Sequence, residues 1–338
     1  PRIHASGPYF GTARPGWDGR AMTPDSIRAE VAWWAERGVR GFKAKGLGPD
    51  GLAALIEAAH RAGLSVTGHL GSGFRGSVNP RDAILVGIDR VEHFMGGDAI
   101  VGDRSAYASL EALDLADAST ARQIEETVAL YRRHGTFFDA TLTAYGYWTD
   151  HRALDPAVYE EWTDEQRFLT PYAREAADRG IAERRDLERF GRIHRVKQRT
   201  LRAFHEAGGT ELITLGTDHP SWGEFLSGFS VHREMHAMVR AGIPAADVLR
   251  IATVNGARAL GLDERLGTLE VGKYADLVVL AGDPLEVITA TRDVALVVKA
   301  GDVYDAAELL RSVEGRMGPE GPDEADWWKG DARLGGGR

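Results

Sequence analysis

The spacing of hydrophobic and polar residues changes period repeatedly along the first 260 residues. "IHAS" (3–6) reads as a strand. Thr23-Pro24-Asp25 then opens an amphipathic stretch reaching about Arg37. Thr23 is suited to the N-cap, Pro24 to the first helical position and Gly38 to the stop. The alternation continues with "VRGFKA" (39–44) as strand, 50–62 as helix and "LSVTGHL" (64–70) as strand. Next come a short helix at about 80–86, "GIDRVEHF" (87–94) as strand, a helix at about 119–134, and "TFFDATLT" (136–143) as strand. Residues 144–210 read as a long, charged, largely helical insertion. "ELITLGTD" (211–218) is the next strand, with helices near 230–241 and 244–260. Strands alternating with helices imply parallel βα units. Six such strands are visible, whereas a closed (β/α)8 barrel has eight, and a doubly wound sheet gives the same alternation.

After Gly261 the pattern changes to short strands punctuated by glycine, with no helix between them ("GTLEVGKYADLVVLAGDPL", "VALVVKAGDVYD"), which suggests a small β module. The polar segment from about 313 is expected to be loosely held. The organisation expected is therefore a βα domain over 1–262 with its insertion at about 144–210, a β module over 263–306 and a polar tail over 307–338.

Composition narrows the function. With 338 residues, 43% of them hydrophobic, the chain can build one large core or two domains. A formal charge of −9 argues against a nucleic-acid surface, and no apolar run of about 18 residues predicts a membrane span. The absence of cysteine removes disulfides and thiolate metal ligands, leaving His, Asp and Glu for any metal.

Lysine is scarce, with 6 among 41 basic residues, yet "GFKAKGLG" (41–48) puts Lys43 and Lys45 in a strand. An unpaired ammonium is costly to bury there. Lys43, His69, His93 and Asp218 each end an expected strand, where the side chains of a barrel face the active-site mouth. Taken singly, each has a structural explanation: a salt-bridged lysine, a satisfied histidine, a helix-capping aspartate. His60, His134 and His205 stand in the last turn of helices, where a cation suits the dipole.

At these residues the chain resembles the amidohydrolase superfamily, in the branch of imidazolonepropionase-related enzymes and Xaa-Pro or Xaa-Arg dipeptidases. "GVRGFKAK", "LSVTGHLG", "GIDRVEHF" and "TLGTDHP" carry the likeness, together with the long run "GFSVHREMHAMVRAGIPAADVLRIATVNGARALGLDERLGTLEVGKYADLVVLAGDPLEVI". The resemblance implies a TIM-like barrel with part of a small β-sandwich domain. It implies a carbamate on Lys43 (Lys45 being the fallback) formed with CO2, which turns a buried ammonium into an oxygen ligand bridging two divalent metals. Zn is the default metal, with Mn, Fe and Co left open. His69 and His93 would be ligands, and Asp218 would be both a ligand and the general acid/base. The implied reaction is hydrolysis of an amide bond in a small substrate. Loops after the strands would set specificity, with Arg75, Tyr145 and His219 as candidates to touch it.

One departure stands out. The family's His-x-His pair, on its first strand, occurs nowhere in this sequence. "PRIHASG" resembles the family's third strand, so the expectation is a chain lacking two barrel strands and half the sandwich. Such a chain would hold one nearly complete metal site, hydrolyse weakly or not at all, and be marginally stable. A degenerate ligand- or partner-binding descendant, a site completed by another chain (homo-oligomers included), and a mononuclear deaminase remain open. Localisation is unassigned, with the cytoplasm as default.

Overall fold

Helix α1 (Pro24–Ala35) starts where its sequence dictates. Ser26 N donates to Thr23 Oγ1 at 3.2 Å and Thr23 N to Ser26 Oγ at 3.0 Å, a reciprocal cap that satisfies two otherwise orphaned donors. These details come from a computed structural model, which describes residues 2–11, 22–71, 77–96, 106–146, 163–182, 187–218 and 228–325.

The described chain divides into two compact units. One holds the described residues up to Ala140 together with Thr200–Thr214; the other holds Thr141–Arg199 with the described residues from Leu215 on.

The first unit is built on six strands: β1 (Tyr9–Phe10), β2 (Gly41–Lys45), β3 (Ser65–His69), β4 (Arg90–Glu92), β5 (Phe137–Asp139) and β6 (Ile213–Thr214). All pair in parallel and lie in chain order. Helices α1, α2 (Pro49–Arg61), α3 (Pro80–Val86), α4 (Ala106–Glu111) and α5 (Ala118–His134) fall between successive strands, the βα alternation read from the sequence. Gly63 and Gly135 close α2 and α5 at φ of 70° and 66°, a conformation that costs glycine little.

Alternate strand positions divide the sheet into two faces. Phe42, Val66, Val91, Phe138 and Ile213 are buried in the apolar core. Tyr131 of α5 and Phe204 pack against Phe138, with ring centroids 5.2 to 6.3 Å apart.

Two strands differ from the expectation. The first strand is Tyr9–Phe10 rather than 3–6, although Arg40 N donates to Ala5 O and Gly7 N to Gly41 O beside β2. The strand expected over 211–218 is two residues long, because Thr210–Leu212 forms a 3-10 turn and the backbone leaves the ladder after Thr214.

The second unit begins with α6 (Leu142–Gly146), α7 (Pro171–Ala182) and most of α8 (Leu187–Phe204). They are followed by α9 (Phe229–Arg240), α10 (Ala245–Arg250), α11 (Gly256–Ala259) and α12 (Ala306–Ser312). Between α11 and α12, β7 (Leu277–Leu280), β8 (Val294–Lys299) and β9 (Asp302–Asp305) form an antiparallel three-stranded sheet. The segment after 313 is not loose at its start. Gly315 N donates to Arg167 O, Met317 N to Phe168 O and Thr170 N to Met317 O, and Met317 packs on the Phe168–Leu169–Ala177 cluster.

Candidate functional site

The register of the parallel sheet sets a polar row at its C-terminal edge. Lys45 pairs with His69, His69 with Glu92, Glu92 with Asp139 and Asp139 with Thr214. Two residues earlier along the strands, Lys43, Thr67 and Arg90 form a second polar row, with Tyr9 beside Lys43. An apolar row (Ala44, Gly68, Val91, Phe138) separates them and points to the other face, as a period of two requires. Polar rows at this edge of a parallel sheet are where ligand sites form.

Glu92 ties the two polar rows together. Its Oε2 lies 2.7 Å from Lys43 Nζ, and both side chains are about nine-tenths buried. Its Oε1 accepts from Thr67 Oγ1 at 2.8 Å, and Thr67 Oγ1 accepts from Arg90 Nε at 3.3 Å. The lysine that looked misplaced in a strand therefore has a buried counter-ion, and its Nζ also lies 5.1 Å from the Tyr9 ring centroid.

His93 follows Glu92 and would point away from it in a regular strand. Instead it takes a φ of 70°, with its N–H donating to Asp139 O at 2.7 Å. This left-handed turn brings His93 Nε2 to 3.7 Å from Glu92 Oε2 and its ring to 4.4 Å from that of His69. A non-glycine residue held there costs on the order of 1 kcal/mol or more, and such strain gathers at functional sites. Among the described residues, four non-glycines have positive φ, and three of them, His93, Thr141 and Asp218, come shortly after β4, β5 and β6.

Lys43, His69 and His93 are thus brought together, with Glu92 and Asp139 added. Two imidazoles and a carboxylate are donor types that suit a divalent cation. Among the described residues, no three His, Asp or Glu side chains group closely enough to hold one by themselves. Neither Glu92 nor Asp139 was picked out from the sequence. The available signal was parity: each ends its strand in the same row as His69.

Asp218 belongs to the second unit, four residues past the end of β6. The Tyr145 backbone lies in α6. Arg75, His219 and the Tyr145 side chain lie outside the described residues.

The same unit holds a buried polar knot around residues 141–143. Glu234 of α9 accepts from Leu142 N at 2.8 Å, from Thr143 N at 2.7 Å and from Thr143 Oγ1. Lys197 of α8 donates to Thr141 O at 2.9 Å and Thr141 Oγ1 at 3.2 Å. Burial raises the Glu234 carboxyl above its usual range, against the pull of those donors and of Lys197. His232 of α9 meets Thr291 Oγ1 at 3.0 Å. Burial, then Arg292 and Arg233, push its imidazole down to about 4, which keeps it a neutral structural partner at physiological pH.

A family model described as "Amidohydrolase family" matches residues 26–304. The 5-methylthioadenosine/S-adenosylhomocysteine deaminase of Thermoanaerobacter pseudethanolicus is 36% identical over 75 residues, 20% of this chain and 17% of that protein. The imidazolonepropionase of Syntrophobacter fumaroxidans is 38% identical over 82 residues, 24% of this chain and 19% of that protein. The chain thus aligns with about a fifth of the length of these curated relatives. Among solved structures, a Xaa-Pro dipeptidase with methionine bound in its active site superposes with a TM-score of 0.61 at 22% identity, over 90% of this chain and 68% of that one.

Proposed function

The chain belongs to the amidohydrolase family, and from that premise we propose that it is a metal-dependent hydrolase of a carbon–nitrogen bond in a small substrate. The observation that carries the reading is the group of buried Lys43, Glu92 and His93 with the half-buried His69 at the C-terminal edge of a parallel sheet. Amidohydrolases generally use a divalent metal. When bound, such a metal supplies Lewis acidity and makes an attacking water acidic enough to react near neutral pH.

The chain's own residues have the following roles in this reading. His69 and His93 would offer imidazole nitrogen to the cation, and their edge-to-face packing fixes both rings. Lys43 would add CO2 at Nζ, with loss of two protons to solvent, and the resulting carbamate would offer anionic oxygen to the metal. Asp218 accepts a proton from the attacking water and returns it to the departing nitrogen. In this reading the parallel strands β1–β6 belong to a TIM-like barrel, with the β7–β9 sheet part of a small sandwich domain. Amides, including those of dipeptides and cyclic amides, are the substrate class that the dipeptidase and imidazolonepropionase likenesses support.

A second reading has an observation of its own. Lys43 stands as an ammonium paired with Glu92, an arrangement that suits a mononuclear deaminase, and deaminases are among the relatives. Lys43→Gln separates the two, since glutamine can still donate to Glu92 but cannot form a carbamate. Metal content by elemental analysis and turnover on an amide panel are the readouts. The hydrolase reading expects metal and turnover to fall together by at least tenfold. Retained metal with deamination of a nucleoside favours the second reading, and a parent chain that takes up no metal refutes both.

A further inference from the structure

In the hydrolase reading Asp218 moves a proton, yet the sheet does not hold it. β6 ends at Thr214, and residues 215–218 leave the ladder without forming another regular element. Asp218 sits at a φ of 55°, a left-handed backbone that aspartate tolerates better than most residues but still at a cost on the order of 1 kcal/mol or more. A strained corner of this kind keeps its shape only where its surroundings fix it.

Helix α9 provides those surroundings. Ser230, in its first turn, is 1% exposed, and its Oγ donates to Thr217 Oγ1 at 3.3 Å, on the residue next to Asp218. A buried hydroxyl is costly unless it is bonded, and the partner of this one is Thr217. Glu234 stands four residues further, on the same side of the helix, and accepts from Leu142 N at 2.8 Å and Thr143 N at 2.7 Å. The helix is itself anchored, with Met235 and Met238 buried and His232 bonded to Thr291 Oγ1 at 3.0 Å. One helix therefore grips two segments, the one after β5 that leads into α6 and the one after β6 that carries Asp218. All of these residues lie in the second unit. Segments that follow the strands of a parallel sheet are where reacting groups are carried.

We propose that Ser230 is a positioning residue for Asp218: its bond to Thr217 fixes the left-handed corner that aims the carboxylate, while Glu234 locks the same helix to the segment after β5. This deepens the hydrolase reading and rests on it for the part Asp218 plays.

The test is steady-state kinetics of the full chain on dipeptides, N-acyl amino acids and cyclic amides, with amide hydrogen exchange over residues 215–218 as a second readout. Ser230→Ala removes the donor and Thr217→Val removes the acceptor at nearly constant volume, whereas Thr217→Ser keeps it. The expected result for Ser230→Ala and Thr217→Val is a fall in kcat of about tenfold or more with KM within about twofold of the parent, since a misplaced reacting group weakens the transition state and not substrate binding. Exchange over 215–218 should be faster in both. The double variant should be no slower than either single, because each removes the same bond. Thr217→Ser should turn over like the parent. The two Thr217 variants decide the matter if Ser230→Ala does not fold. Parent-like kcat and exchange in the variants that lack the bond, or losses that multiply in the double variant, would overturn the inference and leave the hydrolase reading standing. A parent chain that hydrolyses none of these amides would overturn both.

Discussion

Acid should unfold the second unit through His194, and the size of the effect follows from the surroundings. His194 is buried on α8, three residues before Lys197, whose ammonium is itself buried against Thr141. Burial first, and then the charge of Lys197, push the His194 imidazole from 6.5 down to about 4, while a bond to the Leu142 backbone pulls the other way. In the unfolded chain the same imidazole titrates near 6.5. Below that pH the unfolded chain takes up a proton that the folded chain refuses until about 4. Stability is therefore lost as pH falls through the window from 6.5 to 4 and levels off beneath it. At about 1.4 kcal/mol per pH unit the whole gap amounts to about 3 kcal/mol, of which about 2 kcal/mol falls between pH 7 and 5. The assay is urea unfolding at pH 7 and pH 5, for the parent and for His194→Gln, which keeps an N–H for the Leu142 backbone. The parent should lose about 2 kcal/mol more than the variant on acidification. Other titrating groups, His232 and Glu234 included, act in both proteins and cancel in the difference. Equal losses would show that His194 is not held neutral by burial, and the reasoning fails.

Other expectations are simpler to state. Glu234→Gln turns one of two accepting oxygens into a donor facing backbone N–H groups that also donate, those of Leu142 and Thr143. It should cost about 2 to 4 kcal/mol by the same urea assay, since each charge-assisted bond is worth about 1.5 to 3 kcal/mol, and a loss under 1 kcal/mol would contradict the clamp. Gly11→Ala should detach the edge strand. At a φ of 122° its new Cβ would stand 2.3 Å from Lys45 O, a backbone atom that cannot swing aside. Faster amide exchange along β1 and the facing part of β2 is the readout, and unchanged protection would rule the clash out.

Much of the fold is written locally. The Thr23 cap, the prolines that open α1, α2 and α3, and the glycines that stop α2 and α5 act within one turn of helix, so the sequence shows them directly. The strands were harder at both ends of the sheet. β1 is placed by bonds between residues 5–7 and 40–41, which no local pattern encodes, and β6 is cut short by a turn that hydrophobicity does not foretell. In the site, Lys43, His69 and His93 could be read because metal-binding residue types at strand ends are conspicuous. Glu92 shares the row of His69, but its neighbour His93 is the residue that stands out by type. Alternation sends neighbours to opposite faces, and only the left-handed backbone at His93 brings the pair back to one side.

The Lys43–Glu92 pair also shows why a buried ion pair argues for function rather than stability. Both side chains are about nine-tenths buried, and the cost of taking two charges out of water offsets most of their attraction. Removing one partner strands the other, which should cost about 3 to 5 kcal/mol, so Lys43→Met alone must be damaging. Removing both is different: Lys43→Met with Glu92→Leu fills the same space with apolar groups and leaves no orphaned charge. That double variant should be as stable as the parent or up to about 4 kcal/mol more stable, with metal uptake abolished. Urea midpoints of the two single variants, the double variant and the parent complete the cycle. If the double variant falls by the sum of the singles, the two side chains are not coupled and the argument from their pairing fails. If stability returns while metal uptake does not, the strand carries its lysine for chemistry that an apolar pair cannot perform.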